Sequence, residues 1–121
     1  MAEFKCADAR QVARNVLAAH DVGERLLNDV LTVVAELVSN ATRHAGGVTA
    51  FSVRWLPHSV SVEVSDASAV LPCSPGTAVW VPGGFGWLLV NQLAERIEIS
   101  VGPEGKTITA HVLLAERDRS A

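Results

Sequence analysis

Residues 21–47 read DVGERLLNDVLTVVAELVSNATRHAGG, and the apolar spacing of this stretch decides the fold. Leu26, Leu27, Val30, Val33, Val34, Leu37, Val38 and Ala41 recur every three to four positions, the spacing of a helix that buries one face. Asp21-Val-Gly-Glu24 has the form of a capping box at the start, and Gly46-Gly47 supplies the stop. The opposite face carries Arg25, Asp29, Thr32, Glu36, Asn40 and Arg43 within a narrow arc, so Glu36 and Asn40 are neighbours one turn apart.

On the N-terminal side, Asp8-Ala-Arg-Gln11 reads as a second capping box. Val12, Ala13, Val16 and Leu17 follow at helical spacing, predicting a first helix of about three turns. On the C-terminal side the period changes to two. Phe51, Val53 and Trp55 alternate with polar residues, Leu56-Pro-His58 turns, and Val60, Val62 and Val64 alternate again, which predicts a hairpin with one apolar face. Residues 67–84 hold three prolines and three glycines without periodicity and read as a loop long enough to carry function. A third helix is expected to open near Gly86 and run through Leu88, Leu89, Leu93 and Ala94. A second hairpin follows, with Ile97, Ile99 and Val101, the turn at Gly102-Pro-Glu-Gly105, and Ile108, Ala110, Val112 and Leu114. The order ααββαββ predicts an α+β, two-layer sandwich: a mixed, mostly antiparallel sheet with helices on one face and the other face solvated or packed on a partner. Residues 1–121 form one domain in this reading, its core from 8 to 114 and residues 115–121 a charged tail.

Composition excludes several classes. Hydrophobic residues make up 49% of the 121 residues and charged residues 19%, a balance that supports a folded core; aromatics reach only 5%, with no Tyr, so that core is aliphatic. A formal charge of −3 without a Lys/Arg cluster lacks the footprint of direct nucleic-acid or anionic-membrane binding. Cys6 and Cys73 lie far apart with no metal-ligand spacing around them, so neither a zinc site nor a disulfide framework is indicated. The first residues, MAEFKCADARQ, have no apolar signal-peptide core, and no apolar run approaches the roughly 20 residues that span a bilayer. A cytoplasmic protein is expected.

Three places have the residue types for chemistry. The first is the polar stripe of the long helix. A surface helix needs such a stripe in any case, but Asn40 is a poor helix former near the helix end, and its carbonyl oxygen is a hard ligand suited to a hydrated Mg²⁺. Glu36, one turn earlier, is placed to accept a proton from an attacking hydroxyl. The second is Asp66 at the end of SVSVEVSD (residues 59–66). A carboxylate there is either a turn former bonded to a local amide or an acceptor for an exocyclic amine such as that of adenine. The third is PGGFGWL (residues 82–88), which sets glycines at a helix start. That is either a loop-to-helix junction or a place where backbone amides approach phosphate. The P-loop Lys-Ser/Thr and a preceding βαβ unit are both missing, and no HExxH or GxSxG motif occurs.

In order along the chain, ELVSNATRHA (residues 36–45), Asp66 after a strand, Gly84-Phe-Gly86-Trp87-Leu88 opening a helix, and Gly105-Lys-Thr107 entering the last strand form a pattern. With it, the chain resembles the small ATP-binding anti-sigma-factor serine kinases of bacteria, within the gyrase, chaperone and histidine-kinase ATPase superfamily. The resemblance runs from about Asp8 to Leu114, with residues 36–45 its most specific part. It implies a Bergerat-type sandwich that binds Mg·ATP. It further implies Glu36 as catalytic base, Asn40 as Mg²⁺ ligand, Asp66 as adenine reader, and Gly84 and Gly86 as the glycines that phosphate approaches. Thr107 becomes a second adenine-side contact, and His44, Trp87 and Leu88 line the nucleotide.

The implied function is phosphorylation of a serine on an anti-anti-sigma (STAS-type) partner and sequestration of a sigma factor. A binding-only partner-switching module is the alternative, and a detached histidine-kinase domain is disfavoured because no phosphoacceptor helix hairpin is present. The sequence departs from the family pattern in three ways. The first glycine box is Asp66-Ala-Ser-Ala-Val70, which hinders backbone approach and points to weak ATP affinity. The segment 67–82 has no Lys or Arg, leaving Lys106 or Arg43 as candidates for a γ-phosphate cation. Only Met1 to Ala7 remain for the strand that opens the family fold; without it a sheet edge is left open to homodimerisation or a partner strand.

Overall fold

The computed structural model describes residues 4–44, 46–68 and 84–114. Its elements are α1 (Cys6–Ala18), α2 (Glu24–His44), β1 (Val48–Trp55), β2 (Ser59–Asp66), α3 (Gly84–Leu93), β3 (Arg96–Gly102) and β4 (Gly105–Leu113). The four strands lie in the order β1-β2-β4-β3 and pair antiparallel throughout. The α+β sandwich expected from the periodicities is the fold observed.

Neither capping box forms at its expected position. The carboxylate of Asp8 accepts the amide of Lys5 at 2.8 Å, so Asp8 is the third helical residue and α1 opens at Cys6. Gln11 bonds Asn15 instead of reaching back to the helix start. In α2 the first helical carbonyl is that of Gly23, which accepts the Leu27 amide at 3.2 Å, and Asp21 stands outside the helix. The C-terminal stop is as expected: Gly46 and Gly47 take φ of 78° and 116°, and the Gly47 amide returns to the Ala41 carbonyl at 2.9 Å. α3 opens two residues earlier than the apolar spacing predicts, at Gly84.

Alternation along β2 and β4 divides the sheet into two faces. Val60, Val62 and Val64 pair with Val112, Ala110 and Ile108, and all six are buried in one core with Val30, Val33, Val34, Leu37, Val38 and Ala41 of α2. Ala9, Ala13 and Leu17 of α1, Leu26 of α2, Val53 of β1, Val90 of α3 and Leu114 join that core. The other face carries Ser61, Glu63, Ser65, Thr107, Thr109 and His111. Among the described residues β1 is one edge of the sheet. Phe4 precedes α1 without forming a strand and packs its ring against Phe51 of β1, centroids 5.4 Å apart. Trp55 stacks on His20 at 3.7 Å and ties the α1–α2 connection to β1.

Gly105 anchors the sheet end where Asp66 lies. It sits at φ 137°, and a Cβ there would overlap the Asp66 carbonyl oxygen. The β3–β4 turn therefore presses its backbone onto the end of β2, fixing Lys106 directly opposite Asp66.

Candidate functional site

The polar stripe of α2 is not a solvated face along its whole length. Arg25 and Arg43 at its ends are exposed, whereas Asp29, Thr32, Glu36 and Asn40 between them are half-buried. Asn40 stands out chemically: its Oδ1 is buried and, among the described residues, accepts no hydrogen bond. A buried carbonyl without a donor costs about 1–3 kcal/mol, so a group of this kind calls for an external partner. Glu36 lies one turn earlier on the same side of the helix. α3 packs against α2, bringing a second helix whose first turn contains Gly84 and Gly86 alongside this one.

Asp66 is buried on the helix side of the sheet, in line with Val64. Its Oδ1 is already engaged twice: it accepts the Ser68 amide at 2.9 Å and the Lys106 ammonium at 3.0 Å. The first bond is the turn-forming contact that a carboxylate at a strand end commonly makes. The second is a buried ion pair, with the Lys106 and Asp66 side chains 4% and 2% exposed. Lys106 Nζ also donates to the Ser68 carbonyl at 3.3 Å. Thr107, one residue on, points to the opposite face of the sheet, where its hydroxyl meets that of Ser65 at 2.7 Å. Asp66 and Thr107 thus face opposite sides of the sheet while both line its end, and the side chain paired with Asp66 is Lys106.

The remaining candidates are placed by their elements. Leu88 is exposed in the first half of α3. His44 ends α2, and Gly84, Gly86 and Trp87 lie in the first turn of α3; the side chains of His44 and Trp87 lie outside the described residues. So does most of the segment 67–82 that departs from the family pattern. Of the two cations proposed for the γ-phosphate, Lys106 is held by Asp66. Arg43 lines a groove of about 310 Å³ with Phe4, Lys5 and Cys6 at the start of α1. A larger cleft of about 510 Å³ lies at the sheet end, walled by Asp66, Lys106, Ser65, Thr107 and the β3–β4 turn; neither Glu36 nor Asn40 lines it.

The family model of the histidine kinase-like ATPase domain matches residues 3–112. The chain belongs to this family. Its fold is similar to that of the histidine kinase domain of the blue-light activated histidine kinase EL346 from Erythrobacter litoralis. That likeness has a TM-score of 0.53 at 16% identity, over 95% of this chain and 67% of that one. It is also similar to the Acinetobacter baumannii histidine kinase AdeS, with a TM-score of 0.52 at 15% identity, over 74% of this chain and 48% of that one. The chain thus spans about half the length of the AdeS chain. No curated protein matches it in sequence.

Within this histidine kinase-like ATPase domain, the two ends of the site differ in how they suit Mg·ATP. At the α2 end the fit is direct, because an unpartnered buried carboxamide oxygen is a donor that a hydrated Mg²⁺ accepts. At the sheet end one oxygen of the carboxylate that would meet a base, Oδ1, is engaged by Lys106. No described helix is long and apolar enough to cross a membrane.

Proposed function

We propose that the chain is an ATP-binding regulatory protein kinase of the anti-sigma type. It phosphorylates a serine on a small anti-anti-sigma partner and sequesters a sigma factor until that partner competes for it. The observation that carries the nucleotide reading is the buried, unpartnered Oδ1 of Asn40, one turn from Glu36. Mg·ATP supplies the phosphoryl group, with the metal neutralising charge on it. Asn40 holds the metal, and Glu36 accepts the proton of the attacking hydroxyl. The α3 amides around Gly84 and Gly86 favour phosphate at a helix start. The regulatory half of the reading is supported by the ordered motifs from Glu36 to Thr107, within a chain that matches the ATPase family over residues 3–112.

A second reading is favoured by one specific feature. The Asp66–Lys106 pair, together with side chains in Asp66-Ala-Ser-Ala-Val70 where glycines serve close approach, supports a module that binds its partner stoichiometrically without catalysis.

Calorimetry with Mg·ATP, followed by phosphate transfer to a STAS-type partner, separates the two. The kinase reading expects heat of binding and a phosphoserine product, with Glu36→Gln sparing binding and abolishing transfer. Absence of heat at millimolar nucleotide leaves the binding-only module.

A further inference from the structure

The charge arrangement at the sheet end carries one more step. Lys106 occupies a core-facing position of β4, in line with Ile108, Ala110 and Val112, where an ammonium is costly unless it is paired. Its pairing is with Asp66, across the β2–β4 register at 3.0 Å, and with the Ser68 carbonyl at 3.3 Å. Gly105 is pressed on the Asp66 carbonyl and leaves the start of β4 little freedom to move away. Both partners are almost wholly withdrawn from solvent. An amine arriving from a ligand at Asp66 therefore competes for a carboxylate whose Oδ1 already accepts two hydrogen bonds, one of them charge-assisted, and whose charge is already paired with an ammonium.

We propose that Lys106 is an internal competitor for the base-reading carboxylate: the Asp66–Lys106 ion pair closes the base end of the nucleotide site, and a purine is admitted only when the ammonium swings off. This rests on the nucleotide reading of the site given above. The closed pair lowers apparent affinity by the fraction of molecules in which it is open. It acts on the base alone, because the phosphate end is built from α2 and α3. Lys106 thereby sets both affinity and base selectivity, and it does not serve as a γ-phosphate cation.

The test is calorimetric titration of the whole chain with Mg·ATP and, separately, with Mg·tripolyphosphate, which has no base. Lys106→Gln keeps an N–H donor on a similar stem without the charge, so it weakens the pair while leaving the carboxylate partnered. Lys106→Met removes the donor altogether and is the stronger variant; if it fails to fold, Lys106→Gln alone decides. The expected result is roughly tenfold tighter Mg·ATP binding in Lys106→Gln, with tripolyphosphate binding unchanged. Weaker or unchanged Mg·ATP binding in Lys106→Gln overturns the competitor role while leaving the nucleotide reading intact. So does an equal gain for tripolyphosphate, which would move the effect from the base to the phosphates. No binding of Mg·ATP by the parent chain or by either variant overturns both readings.

Discussion

Gly105 and Asp66 are locked backbone to backbone: the α-carbon of the glycine faces the aspartate carbonyl so closely that no Cβ fits between them. This contact fixes the register in which Lys106 falls opposite Asp66. Gly105→Ala introduces a side chain at φ 137°, where L-residues are strained, and drives it into backbone that has little freedom to move. The expected loss is about 2–4 kcal/mol of folding stability, combining backbone strain with overpacking. Chemical denaturation checks it. Gly46→Ala is the comparison: its φ of 78° is also positive, but its Cβ would meet open space, so strain alone acts and the loss is smaller.

A polar cluster on the other sheet face predicts a pH response. Glu98 is exposed, and its carboxyl is held below the usual carboxylate range, first by the hydrogen bond with His111 at 2.7 Å and then by the Arg96 charge. A carboxylate whose folded pKa is depressed contributes stability that is present above its unfolded pKa and lost as pH falls through the folded value. The difference in stability between the parent chain and Glu98→Gln should therefore shrink as pH falls through the carboxylate range. Urea midpoints measured across that interval check the sign; a difference that grows toward acid pH contradicts it.

The helices, strands and turns were legible because each rests on a local period. Leu26 to Ala41 repeats at helical spacing, and Val60 to Val64 alternates with serine and glutamate. The start of α1 moved because Asp8 serves as the third helical residue of a capping box, which a residue pattern alone does not distinguish from an N-cap. The placement of Glu36 and Asn40 one turn apart on the same side of α2 was legible for the same local reason. The partner of Asp66 was not, since β2 and β4 meet through a long-range register that no local window contains. One signal was available: alternation from Ile108 through Val112 sets Lys106 on the core face and Thr107 on the other. A cation on a core face requires a buried counter-charge, and Asp66 ends a strand of matching pattern.

The α2 core face can be tested against the sheet surface. Leu37 is 2% exposed and sits in the cluster with the valines of β2, whereas Leu113 of β4 is 51% exposed on the opposite face. Leu37→Ala should cost about 2–5 kcal/mol through lost transfer energy and a residual cavity. Leu113→Ala should change stability by about 0.5 kcal/mol or less. Thermal unfolding of both variants checks the contrast, and equal losses would contradict the assignment of faces.

The last expectation follows from a conflict between folding and function at Asn40. Its buried Oδ1 accepts nothing from the described residues, so among them it is a polar group that folding alone gives no reason to keep. Asn40→Leu, close in shape and without the carbonyl, removes that desolvation cost and should leave folding stability unchanged or raise it by about 1–2 kcal/mol. The same change removes the donor proposed for the metal, so the Mg²⁺ dependence of nucleotide binding should disappear and affinity fall at least tenfold, a shift of about 1.4 kcal/mol. Denaturation of the free chain and titration with ATP at varied Mg²⁺ read the two effects independently. A destabilised chain with unaltered Mg²⁺ dependence would make Asn40 a structural residue whose partner lies within the fold. A stabilised chain that has lost its metal response would mean that α2 carries the carboxamide for the ligand and at the expense of the fold.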